Sequence, residues 1–169
     1  MSADLRVGSG FPDLVLPDHA GNERKLSDLV ADDPVLLQFY RGWWCPKEQV
    51  FFQNLVTLQA EAEVAYTRFI SVSVDPPEVQ AAFRAGIGAR WTFLSDSERR
   101  WVEELGLMET TDSTHRPYVP AVFTLRPDLT IHRVYNGYWF WGRPTNEELR
   151  QDFRAISQVL RSDWERPRQ

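Results

Sequence analysis

An α/β domain with a mixed β-sheet flanked by helices is what this sequence predicts. Three observations carry the prediction. Apolar runs of β character at residues 35–40 and 68–74 alternate with stretches of helical spacing, the pattern of a sheet with parallel neighbours. A late pair of apolar runs, residues 121–125 and 131–135, flanks Arg126-Pro-Asp-Leu-Thr130 and reads as a hairpin, which adds an antiparallel part. Finally, 169 residues without a repeat, low-complexity tract or Gly/Ser linker fit one domain spanning 1–169, with residues 1–9 and 162–169 expected to fray.

The elements follow in order. Gly10-Phe-Pro-Asp-Leu-Val-Leu-Pro-Asp18 reads as short extended structure, and residues 18–22 as a turn with Gly21 at its bend. Residues 27–30 suit a single helical turn. Five of the six residues at 35–40 are apolar, so that strand is expected to be covered on both faces. Pro46 opens a helix, because a missing N–H costs nothing at the first helical position. Val50, Leu55, Leu58, Ala62 and Tyr66 are spaced as its apolar face.

A second strand at 68–74 stops at Asp75-Pro-Pro77, and a helix follows at 78–86 with Val79, Ala82 and Phe83 on one side. A short strand at 92–94 leads to Ser97, read as the cap of a helix at 98–105 that Gly106 ends. Residues 110–118 are mostly polar and read as a loop. Thr145-Asn-Glu-Glu148 matches a capping box. The last helix is expected to bury Leu149, Phe153, Ile156, Val159 and Leu160.

Composition excludes several classes of function. A net charge of −5 argues against non-specific nucleic-acid binding. No apolar run is long enough to span a bilayer, and the first residues lack a signal-peptide core. One cysteine cannot form a disulfide within the chain, which suits a cytoplasmic location. Three histidines and one cysteine, none at ligand spacing, argue against a zinc site; no metal and no cofactor are expected. Four of the seven tryptophans fall at Trp43-Trp44 and in Trp139-Phe140-Trp141. They suit core packing or a contact surface.

Cys45 is the candidate for chemistry. It stands where a strand gives way to a helix, one residue before Pro46. The aligned N–H dipoles of a helix start favour an anion, and the thiolate is the nucleophilic form. A buried structural cysteine is the alternative, since free cysteines are among the most buried residues. Glu48 falls in the first turn of the same helix, where the dipole favours a carboxylate. Its charge opposes a thiolate, so a cation is needed to offset it.

Several of these motifs together resemble the peroxiredoxin (alkyl hydroperoxide reductase/thiol-specific antioxidant) branch of the thioredoxin-like superfamily. They are the lead-in at 10–18 with Leu26-Ser-Asp-Leu29, Phe39-Tyr40 through Cys45-Pro46-Lys47-Glu48, Ser73-Val-Asp-Pro-Pro-Glu78, Phe93-Leu-Ser-Asp96, and residues 116–125 with Val119-Pro120. The resemblance implies a thioredoxin-like fold and a thiol peroxidase. Its catalytic pair would be Cys45 and Arg116, with Glu48, Arg41, Tyr40, Gly42, Trp44 and Pro120 in support. Arg116 matches the arginine expected to stabilise the thiolate and polarise the peroxide. Arg41 is the second candidate and Arg143 the third; each can equally be a surface charge. Pro120 matches the superfamily's cis-proline.

Two positions depart from the family pattern. Gln38 stands where a proline is usual, seven residues before the cysteine, and Gly42 where a threonine or serine is usual, three before it. The hydroxyl that would hydrogen-bond a peroxide is missing. Tyr40, or backbone N–H groups of the turn at 42–45, are its candidate replacements. The turn also resembles thioredoxin-like proteins with a Trp-Cys-Pro-x-Cys motif, whose second cysteine would fall at Glu48.

The implied function is a one-cysteine peroxidase for hydrogen peroxide or organic hydroperoxides. A sulfenic acid on Cys45 would be resolved by an external thiol: a small thiol, a thioredoxin-like protein, or Cys45 of a second subunit in a homodimer. Two alternatives share the fold: a binding or regulatory module with a decayed site, and a monothiol enzyme with other sulfur chemistry.

Overall fold

A computed structural model describes residues 5–137 and 142–161. The elements run β1 (Val15–Pro17), β2 (Glu23–Lys25), α1 (Leu26–Val30), β3 (Val35–Phe39), α2 (Pro46–Val64), β4 (Arg68–Ser73), α3 (Pro77–Gly86), β5 (Thr92–Ser95), α4 (Arg100–Glu104), β6 (Ala121–Leu125), β7 (Ile131–Asn136) and α5 (Asn146–Leu160). Five strands form one sheet in the order β5-β4-β3-β6-β7. β3, β4 and β5 are parallel, while β6 runs antiparallel to both β3 and β7. The mixed sheet expected from the alternation and the late hairpin is the sheet observed. β1 and β2 form a separate antiparallel pair before it.

The central strand β3 organises both faces. All five of its residues are buried. Because side chains alternate across a strand, Val35, Leu37 and Phe39 join one apolar cluster, with Leu26, Leu29 and Val102 from α1 and α4. Leu36 and Tyr40 join the other, with Phe51, Phe52, Leu55 and Leu58 from α2 and Leu149 and Phe153 from α5. Each fully buried Leu or Phe contributes about 1.5–3 kcal/mol by leaving water.

Helix α5 is fixed at both ends of its first half. Thr145 caps it with a complete capping box: its hydroxyl accepts from the Glu148 backbone N–H, and the Glu148 carboxylate accepts from the Thr145 backbone N–H. Two turns on, the Asp152 carboxylate is 1% exposed. It accepts from the Thr124 hydroxyl at 3.1 Å and the Tyr135 hydroxyl at 2.9 Å, and pairs with Arg133 at 3.0 Å. A buried carboxylate is tolerable only when its lone pairs are met this way, and here they pin α5 onto β6 and β7.

Four sequence expectations need correction. Residues 5–9 do not fray: Leu5 is 4% exposed, and Gly8 and Ser9 bond to both sides of the Ile131 peptide. In α2 the inward residues are Phe51 and Phe52, while Val50 and Tyr66 are 59% and 64% exposed; five spaced positions do not tell which side of a helix faces the sheet. Ser97 does not cap α4. The helix starts at Arg100 with Arg99 at its N-cap position, and its first-turn N–H groups are met from farther back by Asp96, whose carboxylate accepts from the Trp101 and Val102 backbone N–H groups and from the Tyr118 hydroxyl at 2.6 Å. Val159 and Leu160 are exposed at the end of α5, which runs past the sheet it packs on. The aromatic run at 138–141 and the tail at 162–169 lie outside the described residues.

Candidate active site

The site forms where parallel strands end and helices begin, the usual place for ligands on such sheets. β3 ends at Phe39 and α2 begins at Pro46. Between them the chain turns through Arg41, Gly42, Trp43 and Trp44, and the Cys45 N–H closes that turn on the Gly42 carbonyl at 3.2 Å. Cys45 is the N-cap residue of α2, in an extended conformation, with Pro46 in the first turn. The thiol is 3% exposed. The next parallel strand holds the turn from the side: the Asp75 carboxylate accepts from the Trp43 backbone N–H at 3.2 Å and from the Ser73 hydroxyl at 3.0 Å. Burial raises the Asp75 carboxyl above its ordinary range, against these hydrogen bonds.

Glu48 is three residues into the helix and 1% exposed. Its partner is Arg143, whose guanidinium donates to one carboxylate oxygen at 2.5 Å and to the other at 3.4 Å. Burial pushes the Glu48 carboxyl up; Arg143, and Arg41 behind it, pull it down without cancelling the burial. Gly142 makes this possible. Its φ is +97°, and a Cβ there would run into the Asn136 carbonyl. The chain thus passes close against the end of β7 and delivers Arg143 to α2.

Arg116 sits elsewhere. Its side chain is 55% exposed and pairs with Glu103 at 3.2 Å. Its backbone lies in the left-handed region at φ 46°, and its N–H bonds the Asp112 carbonyl at 2.9 Å. Of the three arginines raised from the sequence, Arg143 and Arg41 face the first turn of α2, and Arg116 faces solvent. The run Gly142-Arg143-Pro144 before a capping box was the signal available, but nothing in it names Glu48 as the partner.

Arg41 and Trp44 belong to a second assembly. The Arg41 guanidinium lies 4.9 Å from the Trp44 ring centre and donates to Asp112 at 3.0 Å. His115 stacks on Trp44 with ring centres 4.1 Å apart, and its Nδ1 also lies 3.0 Å from Asp112. Asp112 and His115 come from the polar loop at 110–118, and neither residue was given a role from the sequence.

Gly42 is covered by Trp44. A Cβ on residue 42 would lie 2.5 Å from the indole Nε1, and its φ of +150° is one that L side chains rarely adopt. A threonine or serine has no room there. Of the replacements considered for its hydroxyl, the Tyr40 hydroxyl is buried without a hydrogen-bond partner among the described residues, and two of the turn's backbone N–H groups are taken. Tyr40 is wholly buried, with its ring against Phe52 and Phe93, and burial, with Asp75 next, raises its hydroxyl well above the usual range. The Trp43 and Cys45 N–H groups are bonded to Asp75 and Gly42.

Gln38 is buried in β3, where it pairs with Ser71 and Val122 across both neighbouring strands. Its side chain accepts from the Ser71 hydroxyl at 3.1 Å. Proline has no N–H to give a central strand. Pro120 does not have the cis bond expected of it; there is no cis peptide among the described residues. The trans form is the ground state of X–Pro bonds. Here the chain runs from Val119, whose N–H bonds Leu107, straight into β6. Pro120 still lines the seam that holds Glu48 and Arg143.

Comparison with known proteins accords with this geometry. Residues 7–134 match the AhpC/TSA family model. The chain belongs to the AhpC/TSA family. A Mycobacterium tuberculosis protein named as a peroxiredoxin is 33% identical over 130 residues, covering 75% of this chain and 82% of the relative. The fold is shared with solved peroxiredoxins. Peroxidoxin BcpB of M. tuberculosis superposes with a TM-score of 0.73 at 23% identity, covering 94% of this chain and 98% of that one. A yeast mitochondrial 1-Cys peroxiredoxin gives 0.76 at 17% identity, covering 94% and 78%. This AhpC/TSA member is accordingly a thioredoxin-like oxidoreductase of the thiol peroxidase kind, and its single cysteine makes it a one-cysteine type.

Proposed function

We propose that Cys45 carries the reaction and that Arg143, rather than Arg116, supplies the cation of the site. The observation behind this is the buried Glu48–Arg143 pair in the first turn of the helix that Cys45 caps. The Cys45 thiolate attacks one oxygen of the peroxide. An S–O bond forms, and the O–O bond breaks with its electron pair on the leaving oxygen. That oxygen takes a proton and departs as water or an alcohol. Sulfur is oxidised to a sulfenic acid and the peroxide is reduced. Arg143 offsets the Glu48 carboxylate, and Arg41 adds positive charge at the turn.

An external thiol then returns Cys45 to its reduced form by way of a mixed disulfide, since the chain holds no second cysteine. Trp43, 49% exposed beside the buried thiol, gives the mouth an apolar side. Organic hydroperoxides are therefore the favoured substrates over hydrogen peroxide. A reducing compartment such as the cytosol suits a thiol that must be regenerated. In the described residues no helix is long and apolar enough to cross a membrane.

The test is the rate of Cys45 oxidation by cumene hydroperoxide and by hydrogen peroxide, with dimedone trapping and mass spectrometry. One dimedone adduct on Cys45 and a rate far above that of free cysteine are expected, with the organic peroxide faster. A rate equal to that of free cysteine would mean a thioredoxin-like binding module that has kept the fold without the chemistry.

A further inference from the structure

The end of the sheet opposite the thiol carries a cavity of about 270 Å3. Cys45 follows the C-terminal end of β3, whereas this cavity lies where β4 and β5 begin, at Arg68 and Thr92, beside Gln59 and Glu63 of α2. At 1.5 Å per residue along α2, Gln59 is about 21 Å from Cys45. Its walls are fixed by hydrogen bonds. The Gln59 side-chain amide donates to the Gly88 carbonyl at 3.1 Å and accepts from the Arg90 N–H at 3.0 Å. The Arg84 guanidinium donates to the Trp91 and Arg90 carbonyls, both at 2.7 Å. The Trp91 indole donates to the buried Ser71 hydroxyl at 2.9 Å, and its ring meets Phe69 edge-on with centres 5.5 Å apart. Both rings line the cavity. A preformed hollow with apolar walls and a few fixed polar groups is the usual form of a small-molecule site.

The polar side is basic. Arg24, Arg68 and Arg90 line it against a single acid, Glu63, in a chain of net charge −5. Glu63 is taken by Arg90, which donates to both its oxygens at 2.8 and 2.7 Å. Arg68 gives only its Nε to Asp33, at 2.7 Å. Arg24 stands 3.7 Å from Asp18, beyond hydrogen-bond reach. The Nη groups of Arg24 and Arg68 therefore have no hydrogen-bond acceptor among the described residues. Thr67 also lines the cavity; it is 6% exposed, and its hydroxyl has no partner among the described residues. Buried polar groups are seldom left so.

We propose that this cavity binds a small organic anion, with its carboxylate or phosphate at Arg68 and Arg24 and its apolar body against Trp91 and Phe69. The two Nη groups of Arg68 form the edge of a planar fork, which matches the paired oxygens of a carboxylate or phosphate. The single acid of the lining, Glu63, is the group that opposes such a ligand. The site is separate from the thiol chemistry, and the proposal does not depend on the peroxidase reading.

The experiment is isothermal titration of the full chain with benzoate, phenyl phosphate, benzyl alcohol and inorganic phosphate. Benzoate or phenyl phosphate is expected to bind, and the tighter of the two identifies the head group. Benzyl alcohol lacks the charge and inorganic phosphate lacks the ring, so each is expected to bind at least about 10-fold more weakly. Arg68→Gln is expected to weaken the aryl anion about 10-fold or more, the loss of one hydrogen bond to a charged group. Glu63→Gln is expected to tighten it, because a like charge goes and Arg90 is released. The two side chains are 47% and 53% exposed, so both variants fold. Arg116→Ala changes an arginine outside the cavity and is expected to bind as wild type does. No binding of either aryl anion overturns the proposal, as does unchanged affinity in Arg68→Gln or equal affinity for benzyl alcohol. Protection of Cys45 from iodoacetamide by the bound anion also overturns it, since the ligand would then sit at the thiol. None of these readouts involves peroxide, so a failed peroxidase test is a distinct outcome.

Discussion

Glu48 and Arg143 are separated by 95 residues of chain and form a buried ion pair one turn into the helix that Cys45 caps. The Glu48 side chain is 1% exposed and that of Arg143 13%. Removing one member of such a pair strands the other's charge in a dry place, which typically costs about 3–5 kcal/mol. Arg143→Met is expected to lose stability of that order, and Glu48→Gln less, since the amide oxygen can still accept from Arg143. Urea unfolding of the two variants at neutral pH gives the comparison. Equal losses would mean that the pairing contributes no more than packing.

The same pair sets a pH dependence. Burial raises the folded Glu48 carboxyl above its unfolded value. The fold therefore favours the protonated acid, and the stability this contributes is present below the unfolded value, about 4.3. It is lost as pH rises through the folded value. Without Arg143 the lowering influence is gone, so in Arg143→Met the loss with rising pH is expected to be larger than in wild type. Unfolding midpoints measured from pH 4 to 8 test the sign.

Asp75 follows the same rule from a different position. Burial raises its carboxyl over the opposing hydrogen bonds from Ser73 and the Trp43 N–H. Its contribution to stability is likewise present at low pH and falls as pH rises through its folded value. Asp75→Asn keeps an acceptor for the Trp43 N–H and removes the ionisation. The variant is expected to gain on wild type steadily between pH 4 and 7. A difference that stays flat over that range would show that Asp75 remains in one protonation state.

Arg116→Ala is expected to leave iodoacetamide alkylation of Cys45 within about twofold of wild type at each pH. Its guanidinium pairs with Glu103 on the surface, and exposed pairs contribute about 0–1 kcal/mol. Arg143→Met is expected to slow the same reaction, because a cation near the thiolate is lost. If Arg116→Ala slowed it more than Arg143→Met, the assignment of the site's cation would reverse.

Asp96 joins α4 to Tyr118 across the loop at 105–118. Asp96→Ala leaves two helix N–H groups and a buried hydroxyl without their acceptor. A loss of about 3 kcal/mol is expected, or a melting temperature lower by about 6–12 °C for a chain of this size. Tyr118→Phe removes one of the three bonds and should cost about 2 kcal/mol. Differential scanning calorimetry of both variants orders them; a larger effect of Tyr118→Phe would count against this role of Asp96.

The fold was largely legible because its signals are local. Apolar runs gave β3 and β4, Pro46 gave the start of α2, and Thr145 with Glu148 gave the capping box as observed. Cys45 and Glu48 were legible for the same reason, since both follow from a helix start. Arg143 as the partner of Glu48 was not, because the pairing depends on Gly142 steering the chain against the end of β7. The Trp44–His115 stack was equally hidden. It joins a turn to a polar loop 71 residues away in the case of Arg41 and Asp112, and no periodicity reports a contact of that range. Ser97 failed as a cap because α4 starts at Arg100, two residues later than expected, and the buried Asp96 carboxylate just past β5 meets the first-turn N–H groups.

Asp152 touches none of the residues of the thiol's turn through a hydrogen bond or ion pair given for it, yet its contacts fix the helix that follows Arg143. Its bonds to Thr124, Tyr135 and Arg133 set where α5 rests along the sheet, and α5 begins three residues after Arg143. Slippage of that helix would carry the arginine away from Glu48. A genetic screen for loss of peroxide resistance should therefore recover alleles at Thr124, Tyr135 and Asp152 alongside those at Cys45. Such alleles would present as enzyme defects in folded protein, and a map of inactivating substitutions would wrongly extend the apparent active site to the sheet's outer strand.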